Sequence, residues 1–555
     1  MEQIQAGGWQ AEYPRPQMRR ASFYSLDGRW LLEGEPIEVP WPPQARLSGW
    51  KGTVGAKLHY ERRFTPPPEM LLPGQRVLLH FGAVDQTAQV YVNGVSAVRH
   101  NGGYLPFTAD ITKLLNADEN ILCVECEDAL SRDFPYGKQS ASPKGMWYTP
   151  VSGIWQSVWL EAVPVRGEIR SLRVTPDKTG AALMVDTDAA EYTVAVTLPG
   201  GGVLRRTFCE KAVRLEPAGE GEPPRLWSPE DPYLYRFAVE TETDRVESYF
   251  ALRTVTVEKA AGMPRICING KPFFLHGVLD QGYFQDGIFL PAAPQEYEND
   301  VRRMRALGFN LLRKHIKIEP EAFYYACDRC GMLVLQDMVN SGVYNWFFDT
   351  LLPNLGLQKR PDRWPGGRRR KAFFAAHASA VQAHLYNHPC VIGYTIFNEG
   401  WGQFDADRMY RICRHTDPTR FYDATSGWFA QKESDVESLH VYFRNKRLRA
   451  KRRPLLLSEC GGYARPVAGH LYRPDAKFGY GTVRTEAALT DKIEQMYREM
   501  VLPSIPAGLC GCVFTQLSDV ETEVNGLYTY DRAVCKVDAA RMRALAAQLS
   551  TAGET

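Results

Sequence analysis

Two stretches of this chain end in side chains that could do chemistry. Residues 391–397 form an apolar, β-branched and aromatic run closed by Asn398, Glu399 and Gly400. Some sixty positions later Pro454-Leu455-Leu456-Leu457-Ser458 is closed by Glu459, Cys460, Gly461 and Gly462. Glutamate is rarely buried without a partner, so two that each close an apolar strand ask for a chemical reason. Strands of one parallel barrel deliver their C-terminal residues to a single face. Two carboxyl groups facing each other there supply an acid together with a nucleophile or a base. Other polar residues sit at or just past apolar segments in the same half: His276 and Asp280, Arg313 and His315, Asp337, His440 and Tyr442, Gln516 and Asp519. Any one of these is weak evidence, and their repeated placement is what carries weight.

The elements that must position them follow from the periodicity. Strands are expected at 273–278, 310–314, 333–336, 391–397, 421–425, 438–442, 455–458 and 510–515. Helical stretches fall between several of them. In 296–307, Val301, Met304 and Leu307 share one face and Gly308 supplies a stop. A second helix, 320–330, opens on Pro320 and closes before Gly331. Eight strands alternating with helices imply a closed (β/α)8 TIM barrel over 263–555. Residues 1–163 read as all-β. Segments 76–81 and 89–92 are strand-like, Asn93-Gly94 is a hairpin signal, and the dense Pro and Gly punctuation fits a jelly-roll β-sandwich. The aromatic-rich stretch 145–160 is assigned to the core of that sandwich in preference to a sugar site. Residues 164–262, with shorter alternating strands and a Pro-, Gly- and Glu-rich loop at 216–224, suggest an immunoglobulin-like β-sandwich acting as a spacer.

Composition narrows the function classes. The 555 residues carry a formal net charge of +2 and 44% apolar residues. That profile excludes a partner held by bulk charge, so no nucleic acid is expected. The dense basic run from Arg444 to Arg453 reads as a solvated loop. No apolar stretch long enough to span a bilayer occurs, so no membrane association is expected. The first twenty residues lack the apolar segment of a secretion signal. Twelve cysteines in such a chain read as reduced thiols of a cytoplasmic protein. The pairs Cys123/Cys126 and Cys327/Cys330 lack the strand geometry or the second ligand pair that zinc needs. No metal and no cofactor is expected.

Several segments resemble glycoside hydrolase family 2, the β-galactosidases, β-glucuronidases and β-mannosidases, and the resemblance covers nearly the whole chain. Asn387 through Glu399 looks like the family's acid/base segment, and Pro454 through Gly462 like its nucleophile segment. Asn310-Leu311-Leu312-Arg313-Lys314-His315 is similar to its Asn-x-x-Arg-x-x-His region with the histidine one place early, and His440-Val441-Tyr442 falls where a tyrosine contacts the nucleophile. The resemblance implies a retaining exo-β-glycosidase with Glu399 as acid/base and Glu459 as nucleophile. It also implies that Asn398 meets the sugar 2-hydroxyl, that Tyr442 holds Glu459, and that Arg313 either fixes Glu459 or serves as a barrel-core salt bridge. His315, Asp280, His440, Trp428, Arg465 and Gln516 are further sugar-binding candidates.

The sugar is harder to read. Glucuronidases of the family carry Asn-x-Lys before a Gly-Ile-Phe-Thr-like turn. Here Gly526-Leu527-Tyr528-Thr529 follows Glu523-Val524-Asn525, so the lysine is missing. Lys314, Lys317 and Arg465 are left either as solvent-exposed cations or as cations for a carboxylated sugar. The expectation is a galacto-configured terminal sugar, neutral or uronic, on a carbohydrate or glycoconjugate. A glucuronidase or mannosidase and a catalytically silent carbohydrate-binding protein stand as alternatives. Homo-oligomerisation is left open.

Overall fold

A computed structural model describes residues 8–218, 223–260, 262–357, 362 and 367–553. Part of the 216–224 loop lies outside these residues. The chain forms two β-sandwiches followed by a (β/α)8 barrel.

The first sandwich sets a six-stranded antiparallel sheet beside a four-stranded one. Its strands alternate as half-buried strands must: Gly28–Leu32 buries every second residue, as do Leu122, Val124 and Cys126 in Asn120–Glu127. Trp30, Tyr60, Leu79, Phe81, Val90 and Leu160 fill the space between the sheets. Asn93 and Gly94, both at positive φ (52° and 78°), join Thr87–Val92 to Val95–Asn101 with Val92 opposite Val95. The hairpin expected at Asn93-Gly94 is therefore present. The aromatic stretch 145–160 divides between two cores. Ile154, Val158 and Leu160 pack in the sandwich, whereas Tyr148, Val151 and Trp155 pack against the barrel.

The second sandwich pairs a three-stranded sheet (Ile169–Pro176, Ala181–Thr187, Ala212–Leu215) with a four-stranded one (Tyr192–Thr197, Val203–Phe208, Tyr235–Glu240, Arg245–Phe250). Val185, Tyr235, Phe237 and Phe250 lie in its core. A hairpin, Val255–Ala260 with Met263–Ile268, straddles residue 262 and leads into the barrel.

The barrel strands are β1 (Leu275–Asp280), β2 (Leu311–Lys314), β3 (Leu333–Asp337), β4 (Val391–Asn398), β5 (Phe421–Ser426), β6 (Glu437–Val441), β7 (Leu455–Gly461) and β8 (Leu509–Thr515). They run parallel in sequence order, with β1 paired to both β2 and β8. Between β5 and β6 the serine hydroxyls of Ser426 and Ser438 approach to 3.3 Å. All eight coincide with the strands expected from sequence to within three residues. The reason is composition: apart from β6 every strand is buried along its whole length, which demands continuous apolar sequence. Helix α1 (Gln295–Ala306) buries Tyr297, Val301 and Met304, and α2 (Glu321–Cys330) buries Phe323, Tyr324 and Cys327.

The second sandwich is anchored where β4 begins. Asp328 of α2 is fully buried. Its carboxylate accepts from the Tyr249 hydroxyl (2.8 Å), from His388 Nδ1 (2.7 Å) and from the Cys390 amide (2.8 Å). Its carbonyl takes the Trp227 indole (2.9 Å), and Arg253 reaches the Pro389 and Val391 carbonyls. The spacer thus grips the strand that carries Glu399 at its other end. Asp328→Ala leaves the Cys390 amide buried without an acceptor. Hydrogen exchange measured by mass spectrometry should show the 388–392 peptide losing protection. An exchange rate equal to that of wild type would mean the carboxylate does not hold this strand.

Candidate active site

At the end of β4 the backbone turns sharply. Glu399 takes a left-handed conformation (φ 54°) that few residues other than glycine adopt, and its amide donates to the Ser426 carbonyl on β5 (3.0 Å). Gly400 follows at φ 72°, and a Cβ there would fall 2.3 Å from the Phe429 ring. The Glu399 carboxylate meets His440 Nδ1 on β6 at 2.7 Å. The Glu459 carboxylate of β7 lies 3.5 Å from the same nitrogen. One oxygen of each carboxylate and that nitrogen fall within 4.8 Å of one another. Among the described residues these three form one of two groups spaced closely enough to grip a cation, although Glu459 is already bonded to Arg313 and Tyr442.

Arg313, from β2, is completely buried and organises the floor of the site. Its Nε donates to Asp337 Oδ1 on β3 (3.0 Å) and one terminal nitrogen to Glu459 Oε1 (3.1 Å) and the Ser458 carbonyl (3.0 Å). The other donates to Asn398 Oδ1 on β4 (2.9 Å). The remaining oxygen of Asp337 binds His315 Nδ1 at 2.6 Å. Opposite, the Tyr442 hydroxyl donates to Glu459 Oε2 and lies 3.3 Å from the Thr515 hydroxyl. Burial and the adjoining Glu459 hold the Tyr442 phenol well above its ordinary pKa, so it remains a donor. The Ser426 hydroxyl meets His440 Nε2 at 3.0 Å, and Trp428 stands edge-on to the His440 ring at 5.4 Å.

The electrostatics single out Glu459. Burial alone would raise its carboxyl, but His440, Arg313, His315 and the Tyr442 hydrogen bond outweigh that and hold it at about 2. Asp337 is likewise held below the usual carboxylate range against its burial, by Arg313 and His315. His315 is pushed down to about 4, first by burial and then by the cation of Lys138, and so is neutral at pH 7 with Nδ1 carrying the proton.

Of the residues expected from sequence, the structure brings Glu399, Glu459, Asn398, Arg313, His315, His440, Tyr442 and Trp428 together. Three others have partners elsewhere. Asp280 is tied to Lys314 Nζ (2.5 Å) and the Gly282 amide (2.9 Å). Gln516 lies fully buried between Gln281 (2.8 Å) and Asn525 (2.9 Å). Arg465 donates to the Lys536 carbonyl (3.2 Å) and has no contact with the carboxylate pair. Lys314 and Lys317, read as exposed or carboxylate-binding cations, are buried and share Glu319 at 2.9 Å each. Their charges are spent inside the barrel.

Sequence reasoning missed the residues that reach the site from the first sandwich. The Tyr148 hydroxyl donates to Glu523, Trp147 stands edge-on to Trp401 (5.0 Å) and Tyr344 (5.2 Å), and the charge of Lys138 acts on His315 and Glu523. The aromatic richness of 145–160 was the one available signal. Lys138 had none, because its neighbours are far away in sequence. Tyr480, whose ring lies tilted at 4.3 Å from that of Tyr442, was also invisible from its local sequence.

Comparison with known proteins accords with this architecture. Residues 50–153 match the glycosyl hydrolase 2 galactose-binding domain-like family, 168–253 glycosyl hydrolases family 2, and 260–502 the TIM barrel domain of glycosyl hydrolases family 2. A β-galactosidase of Aeromonas hydrophila is 27% identical over 75% of this chain and 39% of its own length. A β-glucuronidase of Chlorocebus aethiops is 28% identical over 66% of this chain and 60% of its own. The chain spans 39% of the length of the first curated relatives it matches. Among solved structures, a β-D-glucuronidase of Dictyoglomus thermophilum superposes with a TM-score of 0.76 at 19% identity, over 97% of this chain and 98% of that one. At that identity the likeness establishes the fold.

Arg313→Met would leave Asp337 and Glu459 as buried carboxylates without their shared cation, at a cost of about 3–5 kcal/mol. The expected result is a lower urea midpoint for the barrel transition, followed by tryptophan fluorescence. A midpoint equal to that of wild type would remove Arg313 from the centre of this network.

Proposed function

The chain belongs to glycosyl hydrolase family 2, and on that premise we propose that it is a retaining exo-β-glycosidase. It removes a terminal, non-reducing, β-linked sugar of galacto configuration by double displacement. The observation that carries this reading is the spacing of the two carboxylates. Retaining enzymes hold theirs about 5–5.5 Å apart, whereas inverting enzymes need room for a water between them. An oxygen of Glu399 and one of Glu459 within 4.8 Å of each other support the closer, retaining arrangement. Relatives named both β-galactosidase and β-glucuronidase keep a β-glucuronidase as the second reading.

The chemistry follows from the contacts. Glu459, ionised down to about pH 2, attacks the anomeric carbon and forms a glycosyl-enzyme ester. Glu399, positioned by His440 Nδ1, protonates the departing oxygen. It then takes the proton from the water that attacks the anomeric carbon, and the electron pair of the breaking bond between that carbon and the Glu459 oxygen returns to the carboxylate. Arg313 and Tyr442 each hold one oxygen of Glu459, keeping it charged without giving a proton up to it. Because Arg313 occupies the oxygen of Asn398, the amide NH2 is the end left to donate to the sugar 2-hydroxyl. That bond strengthens as charge develops at the neighbouring anomeric carbon.

A panel of aryl β-galactosides, galacturonides, glucuronides and mannosides tests the reading. Wild type should cleave at least one of them, releasing the β-anomer first by NMR, and Glu459→Ala should lose ~10³-fold or more in kcat. First release of the α-anomer would sink the retaining mechanism. Cleavage of none would leave a carbohydrate-binding protein without turnover. A further outcome concerns pH. Glu459 is depressed, so its active, ionised form is lost only as pH falls towards 2, and any change that raises its pKa moves this loss to higher pH. Tyr442→Phe removes one lowering contact and should shift the acid limb of kcat/KM upward by about one unit. An unmoved limb would show that the hydroxyl does not tune Glu459.

A further inference from the structure

We propose that Lys138, carried by the first sandwich, binds the carboxylate of an acidic terminal sugar, so that the preferred substrate is a β-uronide. This inference rests on the glycosidase reading above and names its substrate class. The barrel turn 523–529 offers no lysine, and three buried cations at this end of the barrel are engaged with carboxylates. Arg313 is shared among Asp337, Glu459 and Asn398, Lys314 between Asp280 and Glu319, and Lys317 is bound to Glu319. Among the described residues Lys138 is partly buried, and its ammonium has no hydrogen bond or ion pair.

The position of Lys138 is held from both sides. Before it, the Tyr136 amide donates to the Asn340 carbonyl (3.0 Å) and the Tyr136 hydroxyl to the Gly342 carbonyl (2.8 Å), both just past β3. Gly137 lies against Ile316, the residue after His315, so closely that a Cβ would come within 2.8 Å of the Ile316 carbonyl oxygen. After it, the Tyr148 amide donates to the Lys138 carbonyl (3.0 Å), while the Tyr148 hydroxyl is bonded to Glu523. Lys138 is thereby set between the His315 side of the site and the 523–529 turn. Its charge is felt at both, lowering the pKa of His315 and offsetting the rise that burial imposes on Glu523.

Glu523 acquires a different task in this arrangement. Its oxygens are taken by Tyr148 and by the Asn525 amide (2.9 Å), so it fastens the segment that carries the cation and does not neutralise it by contact. A partly buried ammonium without a protein partner is left free to meet a ligand's charge. A carboxylate on C5 of the bound sugar supplies the missing partner with a charge-assisted hydrogen bond.

The test uses the full chain and matched p-nitrophenyl substrates: β-D-galacturonide with β-D-galactoside, and β-D-glucuronide with β-D-glucoside. Wild type should show a higher kcat/KM for the uronide of at least one pair. Lys138→Met should lower the uronide-to-neutral ratio about 10- to 100-fold, mainly through KM. Lys138→Arg should retain most of that ratio, and Tyr148→Phe should lower it less than Lys138→Met does. The inference is overturned if wild type prefers the neutral sugar in both pairs, or if Lys138→Met loses activity on both members equally. Failure of wild type to cleave any of the four is a separate result that overturns the glycosidase reading itself.

Discussion

The arrangement depends on one buried guanidinium. Arg313 has no exposed surface, yet it stays charged because carboxylates on two other strands face it. Burying a cation is expensive unless geometry and hydrogen bonding are nearly complete. Here the planar fork of arginine meets that condition, with three nitrogens directed to Asp337, Glu459 and Asn398. A lysine would bring a compact point charge and could not serve three strands in one plane. The strand ends bearing Asn398 and Glu459 are therefore set relative to each other by a side chain from β2.

The same contact separates the tasks of the two carboxyl groups. Glu459 sees Arg313, His315 and the Tyr442 hydroxyl as well as His440, whereas the hydrogen bond recorded for Glu399 is to His440. Two identical residue types thus stand in unequal surroundings, which suits the proposed division into proton donor and nucleophile. Next to them a second buried network, Asp280, Lys314, Glu319 and Lys317, closes on itself. Burial pushes Lys317 down to about 8 despite its contact with Glu319. That network ties the ends of β1 and β2 together and spends its charges on its own members.

The two sandwiches are more than appendages. Through Asp328 and Arg253 the second grips the beginning of β4. The first covers the barrel mouth with Tyr136, Trp147 and Tyr148, which pack on Trp401, Tyr344 and Tyr283. A barrel fixes its reacting groups at strand ends, but the walls above them come from loops. Here part of the wall comes from another domain.

Continuous apolar runs made the barrel strands legible, because strands buried on both faces tolerate little else. A glutamate closing two such runs made the carboxylate pair legible as well, since burying that charge calls for a purpose. Asn93-Gly94 announced its hairpin through backbone sterics alone. What sequence could not convey was which polar groups find one another. Asp280, Gln516 and Arg465 have the right types at the right strand ends, yet their hydrogen bonds go to Lys314, Gln281 and the Lys536 carbonyl. Lys314 and Lys317 look like surface cations until the fold closes Glu319 around them. Lys138 and Tyr148 enter the site across more than a hundred residues of intervening chain. The sequence by itself determined the strands, their order and the two glutamates, because burial dictates residue type locally. Only the tertiary structure decided which charges are neutralised and which are left without a partner, because pairing depends on distance in space.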